Sequence, residues 1–255
     1  MRNAVRIILS AVASFILILC MMFTCVELVL NDRAFLQSAL ERTSYVNNMK
    51  MSLEDKTRAI LTLTDYMQGR TDSIDVEVTL NGKRVDMYAM EIEHTHMEEV
   101  RSLWIALRQC RNWGLLVSVL LYLSAFLSGV GVVRGNRVQE SGVPVSRAFS
   151  SLALSPYMKG YLFGLLGVLL FGLAVGIFAL ADFGEFWIFF HEVVFPESET
   201  WLLPYRSRMI QLLPEQFFAE VVARIAIVAG VVLIATGAGA ATAVAVARRR
   251  GRGEE

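Results

Sequence analysis

The residues best suited to chemistry in this chain are its three histidines. His94 and His96 lie together, and His191 lies far downstream in Trp187-Ile188-Phe189-Phe190-His191-Glu192-Val193-Val194-Phe195. Imidazole titrates near neutral pH, so a histidine rooted in an aromatic run is suited to general acid–base work. A lone histidine is more often a structural or surface residue, and only convergence of two distant segments on one face favours chemistry. Other chemistries lack their signatures. There is no G-x-S-x-G, no P-loop and no His-Glu-x-x-His. His94 and His96 sit two apart, on different sides of a helix, and no carboxylates nearby complete a known ligand spacing. Zinc is the weaker reading, and no metal or cofactor is expected. Cys20, Cys25 and Cys110 form neither a disulfide framework nor a metal spacing.

The elements that position these histidines are set by hydropathy. The chain has 255 residues, is 55% hydrophobic and only 19% charged, with mean hydropathy +0.50. That is too apolar for an ordinary soluble domain. A formal net charge of +0 leaves no basic footprint for nucleic acid. Four apolar stretches, 7–26, 115–133, 161–181 and 225–247, reach the length of roughly 20 residues that a bilayer core requires. The first is too long for a signal peptide and lacks a small-x-small cleavage site. Leu17-Ile18-Leu19-Cys20 fails as a lipoprotein cleavage box because Leu19 is too large.

Charge orients the spans. Arg2 and Arg6, then Arg134, Arg137, Arg147 and Lys159, then Arg248, Arg249, Arg250 and Arg252 mark three segments as cytoplasmic. The predicted layout is membrane helix 1 (1–30), an outer insert (31–113), helix 2 (114–133) and a cytoplasmic loop (134–160). Helix 3 (161–181), an outer loop (182–220), helix 4 (221–247) and a basic cytoplasmic tail (248–255) follow. Both termini are then inside, and all three histidines face outward near the headgroups.

Within the insert, 53–68 reads as an amphipathic helix with Ile60, Leu61, Leu63 and Met67 apolar and Gly69 as its cap. Residues 74–80 alternate strictly, and Asn81-Gly82 is a strong hairpin signal. A two-residue turn pairs 80 with 83, 78 with 85, 76 with 87 and 74 with 89, and puts Val78 beside Val85 and Val76 beside Met87. That apolar face needs a partner, and the preceding helix is the nearest. Residues 91–112 read as a helix running into the second span, with Val100, Leu103, Trp104 and Leu107 at helical spacing. The fold class is an α-helical membrane protein: a four-helix transmembrane bundle with a small α+β extracytoplasmic insert between helices 1 and 2. Gly160 with Gly164, and Gly172 with Gly176, permit close helix approach, within a monomeric bundle before any dimer. Glu27 and Arg224 lie near outer helix ends, where they snorkel, pair locally (Glu220 with Arg224) or form a polar pocket on the histidine face. Four spans without an inverted repeat or a midplane charge argue against a transporter.

Several local patterns resemble those of the lipoprotein intramolecular transacylase (Lit) family of bacterial membrane proteins. Tyr66-Met67-Gln68-Gly69 is similar to the family's Tyr-Leu-x-Gly, and Glu91 to Val100 to its Glu-Leu-x-His-Met-x-Asp-Val, with His96-Met97 aligned. Phe190-His191 with Phe195 resembles its Phe-His-x-x-Phe-Phe. Trp201, Pro204 and the run from Ile210 to Phe218 follow its Trp, Pro and Leu-Pro-Glu-x-Phe-Phe positions. The chain departs from the pattern at Glu99, where the family has Asp, at Pro196 and Glu197, in place of Phe and Asn, and at Ser207, in place of Asp. The resemblance implies a bacterial cytoplasmic-membrane enzyme acting on diacylglyceryl-modified lipoproteins at the membrane lipid surface. The reaction it implies moves the sn-2 acyl chain from the glyceryl oxygen to the cysteine α-amine within one molecule. On this reading His96 and His191 form an acid–base dyad, while Phe190, Phe195, Trp201 and Arg224 bind substrate. The alternatives are a non-enzymatic membrane-anchored sensor or interaction protein, and a different interfacial acyl transfer.

Overall fold

In the computed structural model the backbone is described for residues 2–44, 49–136 and 145–252, and side chains for 4–44, 49–127, 157–242 and 245–246. The arginines used to orient the chain, Arg6 apart, lie outside the residues whose side chains are described. Eight helices and one hairpin occur among the described residues: α1 (Arg2–Asn31), α2 (Arg33–Thr43), α3 (Leu53–Met67), β1 (Glu77–Leu80), β2 (Lys83–Asp86), α4 (Glu91–Asn136), α5 (Val145–Ala181), α6 (Phe183–Val194), α7 (Arg208–Leu212) and α8 (Glu215–Arg252). Parts of α1, α4, α5 and α8 are long and apolar enough to cross a membrane: Ala4–Asn31, Glu91–Leu127, Tyr157–Ala181 and Glu215–Thr242. Much of the segment 134–160 is helical. Helix α4 runs on to Asn136 and α5 begins at Val145, while 137–144 lies outside the described residues.

The chain forms two compact units. The first comprises Met1–Phe23, Cys110–Ala174 and Ala229–Glu255, that is, membrane-helix segments. Ile18, Val168 and Leu233 form its core, flanked by Met22, Tyr161 and Leu165. Polar side chains cross-link it: Ser14 Oγ and Tyr122 OH lie 2.6 Å apart, and Tyr161 OH donates to Thr236 Oγ1 at 2.8 Å. Gly160 lets α5 approach α1 so closely that a Cβ there would sit 2.5 Å from Ser10 Cβ and 2.7 Å from the Ala11 backbone nitrogen. Gly164 serves the same contact. A Cβ at Gly172 or Gly176 would meet nothing within 4 Å, so the second glycine pair makes no close approach among the described residues.

The second unit comprises Thr24–Gln109 and Val175–Val228. Asp32 caps α2 by accepting from Phe35 N (3.0 Å), and Ser52 caps α3 by accepting from Asp55 N (3.0 Å). Gly69, at φ +75°, closes α3: its N–H donates to Tyr66 O (2.9 Å) and that of Arg70 to Asp65 O (2.8 Å). Asn81 and Gly82 both have positive φ, as a type I′ turn requires. The pairing Leu80↔Lys83 and Val78↔Val85 follows the hairpin register expected from the turn. Met87 N donates to Val76 O at 2.9 Å, but the strand stops short of residue 74. Ile74 goes into the core instead, 1% exposed. That core joins Leu36 and Leu40 of α2, Ile60 and Leu63 of α3, Val78 and Met87 of the hairpin and Met97 of α4 to Met209, Leu212 and Phe217. The segment expected as an insert and the one expected as a separate loop therefore share one interior. Arg42 Nε donates to Glu220 at 2.8 Å, so Glu220 serves α2 rather than Arg224.

Candidate functional site: a buried histidine pair

The site begins with two helices that carry one imidazole each. Helix α4 starts at a buried carboxylate. Glu93, 1% exposed, accepts from Met90 N (3.1 Å), Met209 N (3.2 Å) and Ser207 Oγ (2.5 Å). Three donors make a buried carboxylate tolerable, and two of them tie the start of α7 to the start of α4. Ser207, one of the departures from the family pattern, is one of these donors. One turn on, α4 presents His96, 9% exposed.

Helix α6 starts at Asp182, which accepts from Glu185 N at 3.0 Å. The Phe178 ring of α5 meets those of Phe186 and Phe189 at 5.8 and 5.7 Å, and Trp187 stacks on Phe218 of α8 at 4.4 Å. These contacts fix the face of α6 that turns inward, and His191 lies on it, 8% exposed.

The two rings meet with centroids 6.1 Å apart at 37°. His191 Nδ1 lies 2.7 Å from the carbonyl oxygen of Trp187. A carbonyl only accepts, so Nδ1 carries the hydrogen and Nε2 keeps its lone pair. His96 Nδ1 is buried and has no hydrogen-bond partner among the described residues. Aromatic rings enclose both. Phe195 meets His96 edge-on at 5.6 Å, Trp201 stacks on His191 at 5.1 Å, and Trp187 and Phe190 reach His191 at 4.7 and 5.3 Å. Burial pulls the His191 pKa below its ordinary value, and the Trp187 hydrogen bond offsets this only in part. Burial thus favours the neutral imidazole at His191, and the Trp187 carbonyl selects its tautomer.

Of the residues singled out in the sequence, His96, His191, Phe190, Phe195 and Trp201 come together. Arg224 does not join them in its described contacts. It approaches Asp32 at 4.0 Å and lies over the Phe35 ring at 5.7 Å, both at α2. His94 turns away: its Nε2–H donates to Tyr88 O at 2.7 Å, with Asp75 at 3.8 Å. Glu27 pairs with Arg108 at 3.4 Å. Among the described residues no three metal-ligating side chains cluster. A cavity of about 520 Å³ between α2 and α3, lined by Gln37, Thr57, Arg58 and Asp65 among others, contains neither imidazole.

The sequence reading gave no role to the side chains that hold the aromatic cover in place. Glu99, one turn past His96, accepts from Ser198 Oγ at 2.8 and 2.9 Å and from Thr200 Oγ1 at 2.6 Å. The Trp201 indole N–H donates to Ser198 O at 3.0 Å. The three-residue step from His96 to Glu99 was the available signal, because it puts both on one face of a helix.

Four helices among the described residues that are long and apolar enough to cross a membrane mark a multi-pass membrane protein, and a buried imidazole pair walled by aromatic rings is its candidate site. The chain belongs to the lipoprotein intramolecular transacylase Lit family, whose model matches residues 11–218. The solved in meso structure of the membrane integral lipoprotein intramolecular transacylase Lit from Bacillus cereus is similar in fold. Its TM-score is 0.53 at 13% identity, over 100% of this chain and 97% of that one. No curated protein matches the chain.

Proposed function

We propose that this protein moves the sn-2 acyl chain of a diacylglyceryl-cysteine lipoprotein to the α-amine of the same cysteine, leaving an N-acyl, S-monoacylglyceryl product. The observation that carries this reading is the His96–His191 pair, buried, with a free lone pair on His191 Nε2. The α-amine, with a pKa of about 7.7–8.0, is largely protonated at neutral pH and needs a base to act as a nucleophile. His191 Nε2 takes one proton from the ammonium and releases it to solvent, freeing the amine. As nitrogen bonds to the ester carbonyl carbon Nε2 takes the second proton, the bond from that carbon to the glyceryl oxygen breaks, and the departing oxygen receives that proton through the pair. Buried beside a second imidazole, His96 relays this proton rather than supplying one of its own, and the pair ends as it began. Donor and acceptor share one molecule, so orientation supplies much of the rate and no serine or cysteine nucleophile is required.

The reading places both histidines at the outer face of the bacterial cytoplasmic membrane, where the ester and amine lie, with both termini inside. The aromatic walls formed by Phe190, Phe195 and Trp201 suit an acyl chain and the glyceryl backbone.

Incubating the purified protein with a diacylglyceryl lipopeptide carrying a free amine tests the reaction. The product is an isomer of the substrate, so intact mass is silent, and N-terminal fragments in tandem mass spectrometry must show an acyl chain on nitrogen. His96→Ala and His191→Ala should each slow this by about 100-fold or more. Normal migration in both variants would discard the dyad, and an unchanged lipopeptide with the wild-type protein would discard the reaction.

A further inference from the structure

Glu99 does not take part in the proton steps above, yet it anchors the strip of chain that covers both imidazoles. That strip starts where α6 ends. Ser198 N donates to Phe195 O at 3.2 Å, closing a turn with Pro196 in its second position, where the fixed φ of proline is favoured. Ser198 is then bonded from four directions. Its N–H closes the turn, its Oγ donates to Glu99 and accepts from Thr200 N at 3.2 Å, and its carbonyl accepts from the Trp201 indole. Thr200 adds a second hydroxyl to the same carboxylate at 2.6 Å. Hydrogen bonds to an ionised acceptor are about twice as strong as neutral ones. The carboxylate is carried by α4 on the same face as His96, and the strip it holds brings Phe195 against His96 and Trp201 against His191.

We propose that Glu99 is a positioning residue: through Ser198 and Thr200 it fixes the 195–201 strip, and so holds Trp201 stacked on His191 and Phe195 against His96. This assignment rests on the transacylase reading of the same site. The Trp187 carbonyl fixes the His191 tautomer, and the Trp201 ring limits how far that imidazole can swing. Loss of the tether leaves the tautomer intact and the direction of Nε2 loose.

The test uses the full-length protein in lipid nanodiscs, with Glu99→Ala, the pair Ser198→Ala with Thr200→Ala, and all three together. Glu99→Ala should lower kcat by about 100-fold with KM within about threefold of wild type, as misplacement of a reacting group does. The triple variant should be no more than about twofold worse than Glu99→Ala, because one tether is lost only once. Losses that multiply, or a loss carried by KM alone, overturn the proposal. The second readout is the rate at which diethyl pyrocarbonate modifies each histidine. The His191 rate should rise at least about fivefold in Glu99→Ala while that of His94 holds, reporting local opening of the cover. An unchanged His191 rate overturns the proposal. Should Glu99→Ala not fold, the Ser198/Thr200 pair carries both measurements. If the wild-type protein forms no N-acyl product while His191 reactivity still rises in the variant, the transacylase reading fails and the positioning role stands.

Discussion

A histidine acts as a base at neutral pH only while neutral, and the environment of His191 biases it that way. Burial penalises the imidazolium, and the Trp187 carbonyl, accepting Nδ1–H, pulls in the opposite direction with less weight. The net shift lowers the pKa from the ordinary 6.5. The sign fixes the pH dependence. A base with a lowered pKa stays deprotonated as pH falls through 6.5 and loses its lone pair only below that. The pH profile of diethyl pyrocarbonate modification at His191 should therefore have its midpoint below pH 6.5. It reports the imidazole alone, whereas the substrate amine, with a pKa of about 7.7–8.0, also shapes kcat/KM. The profile is read by peptide mass spectrometry in a buffer series, and a midpoint at or above that value would remove His191 as the base. His94 gives the contrast. Its Nε2–H is committed to the Tyr88 carbonyl, it takes no part in the pair, and His94→Ala should leave the profile in place.

At the scale of elements, the glycines separate contact from composition. Gly160 and Gly172 are both helical glycines of α5, yet only the first meets a neighbour. A methyl at Gly160 lands 2.5 Å from Ser10 Cβ and 2.7 Å from a backbone nitrogen, and the backbone cannot step aside. Gly160→Ala should cost about 1–3 kcal/mol of stability through overpacking. Gly172→Ala, with nothing within 4 Å, should be neutral or slightly stabilising through helix propensity. Thermal unfolding of both variants in one detergent checks the contrast, and equal shifts would refute the α1–α5 contact. The same scale shows where the sequence was readable. Hydropathy located the spans because bilayer thickness sets their length, and Asn81-Gly82 set the hairpin because few residues accept positive φ. Helix α2 lacked a long enough apolar period to stand out. Helix α6 (Phe183–Val194) follows the third span after Asp182 alone, so hydropathy gave no break to mark it as a separate element. The joint interior of α2, α3, α7 and the start of α8 gathers residues as distant in sequence as Leu40 and Leu212 into one cluster, which no local pattern encodes. The histidine pair was legible for a different reason. The chain has few imidazoles, and the family patterns aligned two of them. The Glu99 tether was not, because its hydroxyl donors lie in a loop whose path follows from the turn at Pro196.

At the scale of the whole molecule, the proposed chemistry stands or falls with sidedness. The proposed reaction needs the lipoprotein ester and amine on the same side of the membrane as the unit that carries His96 and His191, and the proposal puts that side outside. The hairpin belongs to that unit, and Arg84 at its tip is 82% exposed, which makes it a reporter of the side the unit occupies. Basic residues flanking the spans predict the opposite side for the tail that follows α8, with Arg248, Arg249, Arg250 and Arg252. Cys20 and Cys25 are buried and Cys110 is exposed, so Cys110→Ser gives the background in which an added thiol can be read. In that background, Arg84→Cys should react with a membrane-impermeant maleimide in intact spheroplasts. Green fluorescent protein fused after the last residue should fluoresce, and alkaline phosphatase fused there should be inactive. The opposite set, an unreactive Arg84→Cys with active alkaline phosphatase, would put the imidazoles on the cytoplasmic side, away from the ester. It would leave the fold intact and refute the transacylase reading, because a base on the wrong side of the bilayer never meets the amine.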